Sequence, residues 1–185
     1  MSVEIPGYVA GTWAIDPVHS EVSFVVRHMM VSKVRGRFDK FDGTFVTGAD
    51  PLASSVTATV DLTSINTGQE QRDAHIRSAD FFEVEKYPEM TFVSTGIRQA
   101  EEGFFLEGDL TIKDVTKAIA LDFEVTGVAQ DPWGNQRLGL EGSTVINRKD
   151  WNVNFNVALE AGGMLVSDKI TIEFEVSAVK EQDAA

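Results

Sequence analysis

The sequence contains no cysteine and comparatively little positive charge. Because thiols are missing, disulfides, thiolate nucleophiles and thiolate metal sites are excluded. The 16 lysines and arginines are outnumbered by 29 acidic residues, which leaves a formal net charge of −13. A surface of this charge repels phosphate backbones, so we expect no nucleic-acid partner.

Long apolar runs and targeting signals are also missing from the sequence. No run approaches the ~20 apolar residues that a membrane-spanning helix needs, so we expect no stable membrane insertion. The first residues, MSVEIPGYVAGTW, lack the basic stretch followed by an apolar stretch that is typical of a secretory signal. On this pattern we expect a cytoplasmic protein.

Phenylalanine, in contrast, is abundant, with 12 residues in a chain of 185. This length suits one domain, and each aromatic ring can bury ~150–250 Å². We expect a single domain over residues 11–179, a loose segment over residues 1–10 and a polar tail over residues 180–185.

Alternation of apolar and polar residues dominates the domain, and this is the period of a half-buried strand. The alternation predicts strands over residues 22–28, 56–62, 106–112, 119–125 and 170–176, and weaker patterns add strands over 34–45, 90–96 and 136–147. In the predicted strand over residues 34–45, a bulge at Asp39 and Lys40 would bring Phe38 and Phe41 to the same face. Eight such strands can pack as two sheets or close into a barrel, and the period alone does not separate these outcomes.

The region between the third and fourth strands departs from this alternation. Thr67 and Glu70 have capping-box spacing, in which Thr67 caps a helix and Glu70 reaches back to it. This spacing predicts a short helical insertion over residues 69–77. Phe81 and Phe82, which follow the helix, are expected to plug one end of a barrel.

Several stretches along the chain resemble the YceI-like family of lipocalin-like, polyisoprenoid-binding proteins. No single motif is specific, but their order and number make chance agreement improbable over residues 11–179. The matching stretches are Trp13-Ala-Ile-Asp-Pro-Val-His-Ser20, Phe24, His28, Arg35-Gly-Arg-Phe38, Phe41-Asp-Gly43, Ser64-Ile-Asn-Thr-Gly68, Arg72-Asp-Ala-His-Ile-Arg-Ser78, Asp80-Phe-Phe82, Tyr87-Pro-Glu-Met-Thr-Phe92, Ser94-Thr95, Gly108-Asp-Leu-Thr-Ile112, Val115-Thr-Lys117 and Asn147-Arg148.

The resemblance implies an all-β fold, namely an extended eight-stranded antiparallel lipocalin-like barrel with an internal apolar tunnel. It also implies binding of a long-chain apolar ligand, either a polyisoprenoid, an isoprenoid quinone or a fatty-acid derivative, and formation of a homodimer. The sequence departs from the family pattern at Asp114, where glycine is usual, and at Asp150-Trp-Asn152, where Phe-Gly is common. Many family members are periplasmic, whereas the first residues of this sequence do not resemble a secretory signal peptide.

The inward-facing side chains carry the ligand-binding hypothesis. From the pattern alone, these residues fill a dry core; the resemblance reverses this preference and makes them a tunnel lining. The candidates for ligand contact are Phe24, Val26, His28, Phe38, Phe41, Phe45, Phe92, Leu110, Leu121, Phe123 and Phe174. Arg35 and Arg37, in the one basic cluster of the chain, are candidates for contact with a phosphate or carboxylate head group.

Catalytic and metal-binding interpretations are weaker. The histidines His19, His28 and His75 lack metal-helix spacing, so we expect no metal site and no cofactor beyond the lipid ligand. Asp73 and His75 lie two apart on a helix and therefore do not face each other as a catalytic pair. We expect a binding protein for transport, storage or sensing. Two alternatives stay open. One is a small enzyme that acts on an apolar substrate inside the barrel, which substitution of His28 would test. The other is a ligand-free structural or interaction protein.

Overall fold

The computed structural model describes residues 3–182, and these form a barrel of antiparallel strands with one α-helix. The strands are β1 Gly11–Ile15, β2 Glu21–His28, β3 Ser32–Phe38, β4 Phe41–Thr47, β5 Ser55–Asp61, β6 Ile65–Asn66, β7 Glu89–Gln99, β8 Phe104–Ile112, β9 Val115–Gln130, β10 Gln136–Asn147 and β11 Val166–Lys180; helix α1 covers Glu70–Arg77. Short 3₁₀ turns lie at Pro17–His19, Pro51–Ala53, Leu62–Ser64 and Arg148–Trp151.

Backbone hydrogen bonds run around the whole barrel. The order is β1-β4-β5-β7-β8-β9-β10-β11-β2-β3-β6, and β1 also pairs with β11, which closes the ring. Three strands of the wall are composite, because β1 continues into β2, β3 into β4, and β5 into β6. The predicted eight-stranded antiparallel barrel is therefore confirmed.

The second predicted strand differs from its expectation. The strand over residues 34–45 is split, because β3 ends at Phe38 and β4 begins at Phe41. This break replaces the predicted bulge but has the predicted effect, since Phe38 is buried in the core and Phe41 packs against the same cluster. The sequence pattern also missed β1, which contributes the buried ring of Trp13.

The N-terminal segment is attached to the barrel before β1 begins. The hydroxyl of Tyr8 donates to the carbonyl oxygen of Gly48 at 2.7 Å and lies 3.1 Å from the hydroxyl of Ser54. Ile5 and Tyr8 both reach the barrel interior. Residues 1–2 and 183–185 of the predicted loose ends lie outside the described residues.

Helix α1 forms where a helix was predicted, but its cap is a different residue. Gln69 is the N-cap, and its side-chain oxygen accepts from the backbone N–H of Arg72 at 3.1 Å. Thr67 does not cap the helix, because its hydroxyl and backbone N–H both donate to Asp73. The threonine thereby joins α1 to the wall of the barrel just beyond β6.

Candidate ligand-binding site

Two cavities occupy the barrel interior, one toward each end. The first, here called the apolar chamber, lies toward the N-terminal segment and has a volume of about 180 Å³. The second, here called the α1 chamber, lies under helix α1 and has a volume of about 220 Å³. Met90 and Ile172 line both cavities, so the two chambers meet at these side chains.

The apolar chamber is lined almost entirely by hydrocarbon. Its lining contains no charged side chain among the described residues, and its polar groups are the hydroxyls of Tyr8, Thr47, Ser54 and Ser55. The inward faces of β4, β5 and β7 to β11 provide most of its wall, including Phe45, Val56, Phe92, Leu106, Leu121, Phe123, Leu140 and Phe174. For comparison, a cavity of ~150 Å³ lined by Leu, Ile and Phe stays dry and accepts benzene.

The α1 chamber combines an apolar wall with basic groups. Its apolar lining includes Phe24, Val26, Phe38, Ile76, Phe81, Phe82, Phe155 and Ile170, and its basic lining consists of Arg27, His28, Arg72, His75 and Arg148. The rings of Phe81 and Phe155 pack 5.1 Å apart, and each meets the ring of His75 edge-on. Phe81 and Phe82 thus lie in the wall at one end of the barrel interior.

Glycines set the shape of both chambers at points where a ring lies flat on the sheet. Gly36 pairs with Phe24, and a Cβ atom at this glycine would collide with Cζ of that ring. A Cβ atom at Gly108 or at Gly142 would likewise collide with Cζ of Phe92 or of Phe174. Each ring therefore needs a residue without a side chain beneath it.

The predicted lining residues, with one exception, reach a chamber. Phe24, Val26, His28 and Phe38 line the α1 chamber, while Phe45, Phe92, Leu110, Leu121, Phe123 and Phe174 line the apolar chamber. Phe41 packs against the core cluster instead and lines neither of the two described chambers. Contact of these side chains with a ligand stays a prediction.

Arg35 and Arg37 do not reach either chamber, and the head-group hypothesis for them is corrected. Their neighbour Gly36 faces inward, so strand alternation turns both arginines to the outer surface. Arg35 lies 3.9 Å from Glu173, and Arg37 donates to Asp39 at 2.9 Å. The basic residues that reach the interior, Arg72 and Arg148, are instead provided by α1 and by the turn after β10.

Arg148 is the basic group that sequence reasoning missed. Its side chain is 5% exposed and donates to the carbonyl oxygens of Ser167, Val153 and Val166 at 2.9, 2.7 and 3.3 Å. Burial lowers the pKa of Arg148, although the charge of Asp168 acts in the opposite direction. The one signal for this residue was its place in the family-like pair Asn147-Arg148.

The histidines occupy separate places. Nδ1 of His19 lies 2.7 Å from Asp16 in the turn that precedes β2, and Nε2 of His75 lies 2.7 Å from Asp80. Asp73 accepts from Thr67 and not from His75, so the structure does not bring Asp73 and His75 together as a pair. Among residues 3–182, no three His, Asp or Glu side chains form a group that could hold a metal ion.

The outer surface carries a row of glutamates that faces away from both chambers. Glu124, Glu141, Glu175 and Glu21 lie directly opposite one another on β9, β10, β11 and β2. The side-chain hydrogen bond with Glu124, together with desolvation and the charges of Glu124 and Glu175, raises the pKa of Glu141. Like charges placed opposite each other in this way destabilise a sheet.

A family model for the YceI-like domain matches residues 13–178. The chain belongs to the YceI-like family. Protein YceI of Escherichia coli strain UMN026 is 39% identical over 148 residues, covering 78% of each chain. A UPF0312 protein of Staphylococcus aureus strain MSSA476 is 38% identical over 168 residues, covering 90% of this chain and 95% of the other.

Solved structures of YceI-like proteins share this fold. BcnA of Burkholderia cenocepacia superposes with a TM-score of 0.75 at 26% identity, covering 88% of this chain and 98% of BcnA. A polyisoprenoid-binding domain from Saccharophagus degradans superposes with a TM-score of 0.70 at 16% identity, covering 94% of this chain and 100% of that domain. At this identity, the second likeness concerns the fold alone.

Within residues 3–182, the fold contains no helix that is long and apolar enough to cross a membrane.

Proposed function

We propose that the barrel interior binds one long-chain apolar molecule, either a polyisoprenoid, an isoprenoid quinone or a fatty-acid derivative. The observation that carries this proposal is the apolar chamber, a hydrocarbon-lined cavity inside a closed barrel. A filled barrel would have favoured a ligand-free structural protein, whereas this barrel contains two chambers that meet at Met90 and Ile172.

The sizes of the chambers favour a ligand that spans both. Each chamber, at about 180 and 220 Å³, is smaller than the ~300–1,000 Å³ of a typical ligand pocket. A chain that passes between Met90 and Ile172 would use the space on both sides of them. The polyisoprenoid-binding domain of Saccharophagus degradans has the same fold, which supports a chain-like ligand.

Burial of hydrocarbon would provide the affinity. Each buried CH₂ group contributes ~0.8 kcal/mol, so ten such groups correspond to roughly micromolar binding before the cost of ordering the chain. For longer chains, ordering costs absorb much of the additional gain. We therefore expect binding that tolerates changes in tail chemistry and depends on tail length.

We propose binding without chemical turnover, in the service of transport, storage or sensing. His28 lines the α1 chamber, but the described lining contains no carboxylate that could orient the His28 ring as a general base. If mass spectrometry of bound lipid finds no conversion and His28→Ala retains binding, the enzyme alternative is rejected. A cytoplasmic location and a homodimer also stay predictions.

Native mass spectrometry of the purified protein, compared with the same protein after acid denaturation, tests the proposed binding. We expect a mass increment that disappears on denaturation, or uptake of added geranylgeraniol with displacement of the uncharged probe N-phenyl-1-naphthylamine. A protein that purifies without a passenger and takes up neither geranylgeraniol nor hexadecanol contradicts the proposal.

A further inference from the structure

We propose that the α1 chamber binds an anionic head group, a carboxylate or a phosphate, while the apolar tail of the same molecule extends into the apolar chamber. This inference rests on the proposed function and adds to it the head-group chemistry and the direction of the ligand.

The charge of the α1 chamber is opposite to that of the whole protein. Two arginines that reach the interior, Arg72 and Arg148, belong to its lining together with two histidines, and no aspartate or glutamate does among the described residues; Arg27 is exposed on the outer side of β2. The chain as a whole carries a formal charge of −13, and the described lining of the apolar chamber has no charged residue. Positive charge is therefore concentrated at one end of the barrel interior.

Arg148 is the buried cation of this chamber. Three backbone carbonyl oxygens hold its guanidinium, which fixes its position without neutralising its charge. The nearest carboxylate oxygen, on Asp168, lies 3.8 Å away on a side chain that is 43% exposed. This ion pair is long and its carboxylate is partly exposed, so it offsets the buried charge only in part, and an anion placed in the chamber would be further stabilised by Arg148.

Arg72 presents a second guanidinium from helix α1. Its Nε donates to the hydroxyl of Thr67 at 2.7 Å, and its Nη2 donates to the carbonyl oxygen of Thr67 at 2.8 Å. These bonds orient the planar group, and its Nη1 makes no hydrogen bond to another described residue. An oriented guanidinium with an open N–H edge suits a carboxylate or phosphate oxygen.

The acids near the chamber are engaged elsewhere. Asp73, beside Arg72, is buried against Thr67 and is not a lining residue. Asp80 contacts Nε2 of His75 from the exposed side. The carboxylate of Asp168 lies 3.3 Å from the ammonium group of the exposed Lys149, so Asp168 also pairs with a cation outside the barrel.

Two matched ligand pairs test the inference. Hexadecanoate is compared with hexadecanol, and geranylgeranyl phosphate with geranylgeraniol, by displacement of N-phenyl-1-naphthylamine. A hydrogen bond to a charged group contributes ~1.5–3 kcal/mol, so we expect each anion to bind at least about tenfold more tightly than its alcohol. The pair with the larger ratio identifies whether a carboxylate or a phosphate fits better.

Variants then assign the effect to the chamber. Arg72→Gln is expected to lower both ratios severalfold, because each anion loses a charged hydrogen-bond donor while each alcohol loses little; Arg148 retains part of the preference. Arg35→Gln, which changes an arginine on the outer surface, is the matched control and should retain the ratios of the unchanged protein. Circular dichroism of each variant confirms that the barrel is intact.

The ratios in the unchanged protein decide the question even if Arg72→Gln fails to fold. Equal affinity for anion and alcohol in both pairs overturns the anionic head group and leaves the proposed function standing. If none of the four molecules displaces the probe, the proposed function itself is rejected. Equal loss of the ratio in Arg35→Gln and Arg72→Gln also contradicts the inference, because it indicates a general surface effect.

Discussion

Asp73 of helix α1 accepts two hydrogen bonds from Thr67, one from the backbone N–H at 2.9 Å and one from the hydroxyl at 2.5 Å. Since Arg72 also donates twice to Thr67, this one residue joins the helix to the barrel wall. The carboxylate of Asp73 is 4% exposed, so water does not replace these bonds easily.

Replacement of Asp73 by alanine should therefore loosen the attachment of α1. Loss of the acceptor leaves the Thr67 N–H and hydroxyl unsatisfied, which we expect to lower the free energy of unfolding by about 1–3 kcal/mol. Urea denaturation followed by tryptophan fluorescence measures the change. Asp80→Ala, which removes an exposed contact of His75, should cost less than about 1 kcal/mol. Equal costs for the two variants would contradict the role given to Asp73.

Introduction of a methyl group beneath Phe24 should disturb the α1 chamber. In Gly36→Ala the new Cβ collides with the Phe24 ring, and we expect a loss of about 1–3 kcal/mol in stability or displacement of the ring into the chamber. Displacement is detected as weaker binding of geranylgeraniol. The control is Gly127→Ala, because no atom lies within 4 Å of the Cβ position there. If Gly36→Ala changed neither stability nor binding, the Phe24 ring would not need the space above Gly36, which contradicts the prediction.

An enlarged side chain in the apolar chamber should exclude part of the ligand tail. Ala58 lines this chamber, and in Ala58→Phe the ring would occupy space that the tail needs. Each displaced CH₂ group is worth ~0.8 kcal/mol, so the loss of two weakens binding of geranylgeraniol about tenfold. Ala118→Phe, at an exposed position of β9, is the matched control. Unchanged affinity in a folded Ala58→Phe protein argues against a tail in this chamber.

The glutamate row predicts a stabilising substitution. The neighbouring carboxylates raise the pKa of Glu141, so the folded protein binds this proton more tightly than the unfolded chain does. Stability therefore falls as the pH rises through the range between the unfolded and folded pKa values. Glu141→Gln should raise the melting temperature at neutral pH, with a difference that disappears in acid, where the carboxyl groups are protonated. Glu107→Gln, which loses an ion pair with Arg98, should not raise it at any pH.

Arg137 couples stability to acid pH in the opposite direction. Arg137 donates to Asp16 and to Asp131, each at 2.9 Å. The hydrogen bonds that Asp16 makes with Arg137 and with His19 lower the pKa of Asp16 to about 2. A lowered pKa stabilises the fold above the ordinary pKa of aspartate, and this contribution is lost as the pH falls toward 2.

Arg137→Gln should therefore move the midpoint of acid unfolding to higher pH. The difference in stability from the unchanged protein should be largest near neutral pH and should shrink once Asp16 is protonated. Circular dichroism between pH 7 and the acid midpoint follows both quantities. Arg98→Gln serves as the control, since its partner Glu107 is exposed. A difference that is independent of pH would show that Arg137 acts through packing alone.

The strands were predictable because alternation is a local property of the sequence. Residues such as Val22, Phe24 and Val26 alternate with outward-facing neighbours whatever their partners in the sheet are. Closure of the barrel was not predictable in this way, because it depends on pairing between β1 and β11 at distant points of the chain. Strand β1 itself was missed, since its five residues are too short for a clear period.

The candidate site was predicted unevenly for a similar reason. Apolar lining follows from alternation, which placed Phe24 and Phe123 on the inner face correctly. The basic residues were assigned by their clustering in sequence, and that clustering favoured Arg35 and Arg37. Arg148 reaches the interior because a 3₁₀ turn after β10 directs it inward, and no period in the sequence reports such a turn.

The seam between β1 and β11 also determines how a bound molecule can leave. Around the ring that β1 and β11 close, neighbouring strands are hydrogen-bonded throughout, so sideways escape there would require a whole ladder of backbone bonds to break. We therefore expect a bound ligand to leave lengthwise, past helix α1 or past the segment that Tyr8 anchors. For the same reason, we expect the residence time of a ligand to depend on how often helix α1 or the N-terminal segment moves aside, and to change without any change in the lining.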